Sequence, residues 1–192
     1  MGKVGILGGS FDPPHVGHVI MARTARERLG LDRVLLAPAP RPPHKQRRSL
    51  SPYEERVEMA RLAAAGETGI EVSTLEEGSS APSYTVELLR KYRRLYDDDI
   101  YFIMGADSLV DLPLWKSPQE ILSMATLVVF PRKGSVSVLR VPGEAALVIF
   151  ESPMIDVSSS GVRRRVRAGR SIEALVPPAV RRYILDRGLY AR

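Results

Sequence analysis

The sequence predicts an α/β fold: a doubly wound, mostly parallel sheet with helices on both faces and helices closing the C-terminal end. Three observations predict it. Short apolar runs alternate with longer stretches patterned at helical spacing, the order that builds βαβ units. A Gly-rich turn follows the first apolar run directly, where sheets of this class approach their ligands. No repeat or low-complexity linker divides the 192 residues. We therefore expect residues 1–192 to form one domain, of which about 157–192 are a basic helical extension.

Taken in order, residues 4–7 read as the first strand. Val16, Val19, Ile20 and Leu29 then recur at helical spacing, and Gly30 suits the C-cap. Residues 34–37 form a second apolar run, followed by a basic, Pro-rich loop over 38–51. Ser51-Pro52-Tyr53-Glu54 has capping-box spacing, predicting a helix to about residue 65. Residues 70–72 are a short strand, and Val86 and Leu89 mark a helix after Pro82. Residues 100–104 are a buried strand preceded by the acidic run Asp97-Asp98-Asp99, expected to be a solvated turn. Ser117 to Glu120 offers a second capping box, residues 127–130 and 147–150 two more strands, and Ser158 and Pro177-Pro178 the starts of two helices.

Hydrophobic residues make up 44% of the chain, enough for a sizeable core, and there is no cysteine. Disulfides and Cys-based zinc sites or nucleophiles are thereby excluded. Apolar runs such as 145–150 are too short to cross a bilayer. The start reads straight into a strand, without the apolar centre of a signal peptide. A cytoplasmic protein without a membrane partner is expected. The net charge of +6 is uneven, because nine Arg against two acids follow Asp156. Such a cluster attracts phosphates, although a solvated helix face fits as well. No aromatic residue interleaves it between Val157 and Val180, so a nucleic-acid partner is not expected.

The turn Gly8-Gly9-Ser10-Phe11-Asp12-Pro13-Pro14-His15-Val16-Gly17-His18 opens the first helix. Its glycines admit a ligand close to the backbone, and a helix start offers unpaired N–H groups to phosphate. It matches neither the Walker loop nor the dinucleotide fingerprint. His15 and His18 are three apart, so both rings can face one phosphate. Two His with Asp12 as third ligand is the metal alternative, and plain surface histidines the other.

His-x-Gly-His after a first strand resembles the nucleotidyltransferase superfamily, and the eleven-residue version is similar to the nicotinate-nucleotide adenylyltransferases. Further matches cover nearly the whole chain. Pro42-Pro43-His44-Lys45 resembles that family's basic loop, and Ser83-Tyr84-Thr85 the segment leading into its third main helix. Gly105-Ala106-Asp107-Ser108 with Leu112-Pro113-Leu114-Trp115 resembles its substrate-ring segment. Val157 to Arg163 resembles its terminal I-S-S-T-x-I-R motif, with Val157 for Ile and Ser160 for Thr.

The resemblance implies a Rossmann-like nucleotidyltransferase fold and transfer of the adenylyl group of ATP, with Mg²⁺, to nicotinate mononucleotide in NAD biosynthesis. It implies catalytic roles for His15, His18, Lys45 and Arg163. ATP and its phosphates fall to Gly8, Gly9, Ser10, Phe11, Gly17, Ser159 and Ser160. The mononucleotide falls to His44, Ser83, Tyr84, Thr85, Gly105, Asp107 and Trp115. No protein-held metal is implied, and a homodimer is compatible. Read without the resemblance, Ser158 is a helix cap, Trp115 a core residue and Arg164, Arg165 and Arg167 solvated. The rival functions are a sister enzyme acting on nicotinamide mononucleotide or phosphopantetheine, and a nucleotide-binding module without turnover. The P-P-H-K loop and the ring segment set this chain apart from the phosphopantetheine relatives.

Overall fold

The computed structural model describes residues 2–43, 50–131, 146–150 and 156–191. Its sheet contains β1 (Lys3–Gly9), β2 (Arg33–Pro38), β3 (Ile70–Val72), β4 (Asp99–Gly105), β5 (Thr126–Phe130) and β6 (Leu147–Ile149). They lie in the order β3-β2-β1-β4-β5-β6, and every adjacent pair is parallel. The chain thus builds outward from β1 to β3, returns, and builds outward again from β4. Connections leaving β1 and β4 diverge to opposite faces, which opens a crevice at their carboxyl ends.

The strands are apolar on both faces, as a sheet covered twice requires. On one face Val4, Ile6, Phe102 and Val129 pack with Val86 and Leu89 of α3 (Thr85–Leu95) and Ile121 of α5 (Pro118–Met124). On the other, Leu7, Leu36, Ile103 and Val128 meet Ala22 and Ala25 of α1 (Val16–Leu29) and Ala64 of α2 (Tyr53–Ala64). α4 (Ala106–Asp111) follows β4 directly. Gly5 occupies the middle of β1, where a Cβ would come within 3.0 Å of Val34, Leu31 and Ile103. The C-terminal helices α6 (Ser159–Arg167) and α7 (Pro178–Asp186) form a further layer. Val162, Val180 and Ile184 pack there against Val19, Met59 and Ala63 of α1 and α2.

The structure departs from expectation in three places. α2 starts with Pro52 as its N-cap and no side-chain cap, while the Ser51 carbonyl accepts from Arg56 Nε at 3.0 Å. The helix begins one residue too late for the box. Ser117 does cap α5, but in the left-handed conformation and without a side-chain bond to the helix. Glu120 is drawn instead into a two-pronged pair with Arg90, with Arg90 Nε donating at 2.6 Å; a charge-assisted fork outweighs a cap. The acidic run is not a solvated turn throughout. Asp98 accepts from Tyr92 Oη at 2.6 Å, Arg33 Nη2 at 2.7 Å and Gly2 N at 3.2 Å. The Tyr92 hydrogen bond, then Arg33, holds the Asp98 carboxyl below its ordinary range. Burial pushes the Tyr92 phenol up to about 12.

Candidate active site

A cleft of about 490 Å³ opens at the carboxyl ends of β1 and β4, a size suited to a small-molecule ligand. One of its walls is the turn after β1. Ser10, Asp12 and His15 are buried there. Phe11 adopts a left-handed φ of 47°, which tucks its ring under the turn, edge-on to His18 with centroids 4.9 Å apart. His15 is the extended N-cap of α1. The His15 backbone N–H donates to His18 Nδ1 at 3.1 Å. A nitrogen that accepts carries no hydrogen, so the neutral His18 ring holds its proton on Nε2. The two imidazoles stack, with centroids 3.7 Å apart and planes 24° from parallel. His-x-Gly-His has become a paired edge lining the cleft.

α6 docks onto the same turn. Ser158 caps it by accepting from Gly161 N at 3.1 Å. Ser159 Oγ donates to the Pro13 carbonyl at 2.8 Å, so this hydroxyl hydrogen anchors the helix, and what Ser159 offers an anion is the N–H of a helix start. Arg163 Nη1 donates to the Asp12 carbonyl at 2.5 Å and lies 3.8 Å from its carboxylate. Residues about 150 positions apart in sequence are thereby fixed against each other.

The opposite wall is built differently. Ser83 Oγ accepts from Arg41 N at 3.0 Å, and Ser83 N donates to the Arg41 carbonyl at 2.9 Å. That double link fixes the segment entering α3, whose N-cap is Tyr84 and whose first residue is Thr85. Trp115 is half-buried, edge-on to Phe102 with centroids 6.3 Å apart; Leu114 beside it is 82% exposed. Lys116 lies 5.0 Å over the Tyr84 ring and 2.7 Å from Glu87 Oε1. Gly105 is the N-cap of α4, and exposed Asp107 sits in its first turn.

Of the residues singled out in the sequence, Gly8, Gly9, Ser10, Phe11, His15, Gly17 and His18 line one side of this cleft. Ser83, Tyr84, Thr85, Gly105, Asp107, Trp115, Ser159, Ser160 and Arg163 line the rest. His44 and Lys45 lie outside the described residues. Arg164, Arg165 and Arg167 are exposed. Asp12 is held from behind by Tyr190, whose Oη donates to its Oδ1 at 2.7 Å. Among the described residues no group of three or more His, Cys, Asp or Glu could hold a metal. The same residues contain no helix long and apolar enough to cross a membrane.

Three contributors escaped the sequence reading. Glu76 is buried in the cleft wall, and desolvation raises its pKa; in an acidic pair it reads as surface. Arg56 is 1% exposed and donates to the carbonyls of Ser10 (2.8 Å), Ala39 (2.7 Å), Pro40 (3.1 Å) and Ser51 (3.0 Å). It joins the loops after β1 and β2, and burial lowers its pKa. The signal was available: position 56 falls on the α2 stripe that buries Val57, Ala60 and Ala63. Tyr190 carried no signal at all.

Comparison with known proteins gives a consistent answer. Residues 6–165 match the cytidylyltransferase-like family. A Dehalococcoides mccartyi protein described as a "probable nicotinate-nucleotide adenylyltransferase" is 40% identical, over 99% of this chain and 98% of its own length. A Thermus thermophilus protein of the same description is 44% identical, over 98% and 99%. Among solved structures, the Plasmodium falciparum nicotinic acid mononucleotide adenylyltransferase complexed with NaAD superposes with a TM-score of 0.82 at 18% identity, covering 100% of this chain and 98% of that one. The same protein complexed with APC gives 0.81, again at 18% identity and with the same coverage. At that identity the likeness is one of fold.

Proposed function

The chain belongs to the nicotinate-nucleotide adenylyltransferases of the cytidylyltransferase-like family, and on that premise we propose how its cleft carries out adenylyl transfer. The enzyme joins ATP and nicotinate mononucleotide to give deamido-NAD and pyrophosphate. A 5′-phosphate oxygen of the mononucleotide attacks the α-phosphorus of ATP, the bond from that phosphorus to the bridging oxygen breaks, and pyrophosphate leaves in line. No covalent nucleophile of the protein takes part, so positioning and charge stabilisation carry the rate.

The observation that carries this reading is the locked phosphate wall: stacked His15 and His18 at the start of α1, with Arg163 fixed to the same turn. His18 donates from Nε2 to an α-phosphate oxygen as charge builds there, and His15 faces the same group. Arg163, with the N–H groups that open α6 at Ser159 and Ser160, holds the departing pyrophosphate. Gly8, Gly9, Ser10, Phe11 and Gly17 shape the floor on which ATP lies. The donors along this wall are imidazole, hydroxyl and amide, which suit phosphate oxygen better than a hard cation. Mg²⁺ would therefore arrive on the ATP phosphates with its own waters, neutralising their charge.

On the other wall the pyridine ring stacks on Trp115. The amides near Tyr84 and Thr85 donate to the nicotinate carboxylate, Ser83 holds that segment in place, and Asp107 and Gly105 face the ribose. His44 and Lys45 belong to this reading by family resemblance alone, as residues closing over the phosphates. The chain acts as one cytoplasmic domain, and a homodimer is compatible with this reading. Incubation with ATP, Mg²⁺ and a panel of acceptors, followed by pyrophosphate release, tests the reading. Release with nicotinate mononucleotide is expected, and release with phosphopantetheine alone would overturn it.

A further inference from the structure

Tyr190 stands far from the cleft in sequence, yet it reaches the base of the catalytic turn. Its hydroxyl donates to Asp12 Oδ1 at 2.7 Å and lies 3.8 Å from Met59 Sδ of α2. The Ser51 hydroxyl also hydrogen-bonds to it. One phenol therefore joins three separate segments: the turn after β1, the entry to α2, and α2 itself. Asp12 is 1% exposed, and a buried carboxylate keeps its place only if its charge is answered. Arg163 is 3.8 Å from it on the cleft side, and Tyr190 meets it from behind. The backbone agrees with a held geometry. Tyr190 has φ 65° and Phe11, next to Asp12, has φ 47°, a region that bulky residues rarely enter and that clusters at functional sites.

From this juxtaposition we propose that Tyr190 is a positioning residue for adenylyl transfer, fixing Asp12 so that the Asp12 carbonyl and carboxylate hold Arg163 toward the leaving pyrophosphate. The inference rests on the functional reading above. Burial and the Asp12 charge push the phenol well above the ordinary tyrosine range, so it donates throughout the working pH range. Without its hydroxyl, Asp12 keeps only its cationic neighbours and can swing toward Arg163. The guanidinium would then be drawn onto the carboxylate and away from the pyrophosphate.

The test is Tyr190→Phe, which keeps the ring and removes one hydroxyl. Magnesium pyrophosphate binding is measured by calorimetry, beside kcat and the KM for each substrate. We expect pyrophosphate affinity and kcat each to fall on the order of tenfold, the scale of a small misplacement, with the mononucleotide KM hardly moved. Asp12→Asn, nearly isosteric, keeps an oxygen for Tyr190 Oη but removes the charge that holds Arg163, so it reads the second half of the link and serves if Tyr190→Phe does not fold. It should show the same selective loss, because the carboxylate no longer holds the guanidinium toward pyrophosphate. Unchanged pyrophosphate affinity and kcat overturn the proposal, whatever happens to thermal stability. So does an equal loss of pyrophosphate and mononucleotide binding, the mark of a merely structural role. Wild-type protein that binds no pyrophosphate would instead overturn the functional reading, and the inference with it.

Discussion

The two walls of the cleft are made of different material. The phosphate wall is internal architecture: Ser10, Asp12 and His15 are buried, and α6 is hydrogen-bonded to the turn at Asp12 and Pro13. The ring wall is surface, with Trp115 half-buried, Leu114 and Lys116 exposed, and an ion pair from Lys116 to Glu87. A preorganised wall suits charge that develops only in the transition state. An open wall suits a substrate that must enter, stack and leave. On the function proposed above, rate belongs to the first side and acceptor choice to the second.

The largest expected effect breaks the phosphate wall. His18→Ala should lower kcat by at least ~100-fold, the scale of one preorganised donor, with an unchanged circular dichroism spectrum. Activity near wild type in a folded variant would take the histidines out of the mechanism. Arg163→Ala comes next. Calorimetry should show ATP and pyrophosphate binding weakened more than mononucleotide binding, while exposed Arg165 can be changed to Ala with little consequence; the reverse order would misplace the leaving-group side.

Thr85→Pro then probes the ring wall through its backbone. Thr85 is the first residue of α3, where proline fits, and Tyr84 before it is extended at φ −85°, ψ 137°. Helix geometry should survive while one amide donor disappears. Discrimination between nicotinate and nicotinamide mononucleotide should fall by roughly tenfold, since an acid and an amide differ in what they ask of that donor. Trp115 is the only tryptophan, so quenching of its emission by nicotinate mononucleotide reports the stacking directly.

The smallest effect is on stability. Burial raises the Glu76 pKa, so the protonated carboxyl favours the folded state. That contribution is complete below the unfolded value of about 4.3 and is lost as pH rises through the folded pKa. Glu76→Gln should therefore raise Tm by about 2 °C at neutral pH, with no gain at pH 4. An equal gain at both would remove the carboxyl's titration as the cause.

How much of this was legible follows from what sequence encodes. The doubly wound parallel sheet could be anticipated because alternating apolar runs and helices leave few ways to cover both faces of a sheet, although the order of its strands could not. The turn from Gly8 to His18 was legible because its glycines and paired imidazoles are contiguous. Tyr190 acts through bonds to segments remote in sequence, and such bonds leave no local pattern; Arg56 lies on the buried stripe of α2, but the loop carbonyls it reaches could not be read from that stripe. The second capping box failed for a related reason: Glu120 answered Arg90, a residue thirty positions away, instead of its own helix start. Asp98, likewise, was claimed by Arg33 and Tyr92.

The division of labour between the walls is tested most directly by one ratio: kcat/KM for nicotinate over nicotinamide mononucleotide, measured for wild type, His18→Ala and Thr85→Pro. His18→Ala should slow both substrates by the same factor and leave the ratio where wild type has it, while Thr85→Pro should bring the ratio toward one. A ratio that shifts with His18→Ala, or that survives Thr85→Pro intact, would contradict it.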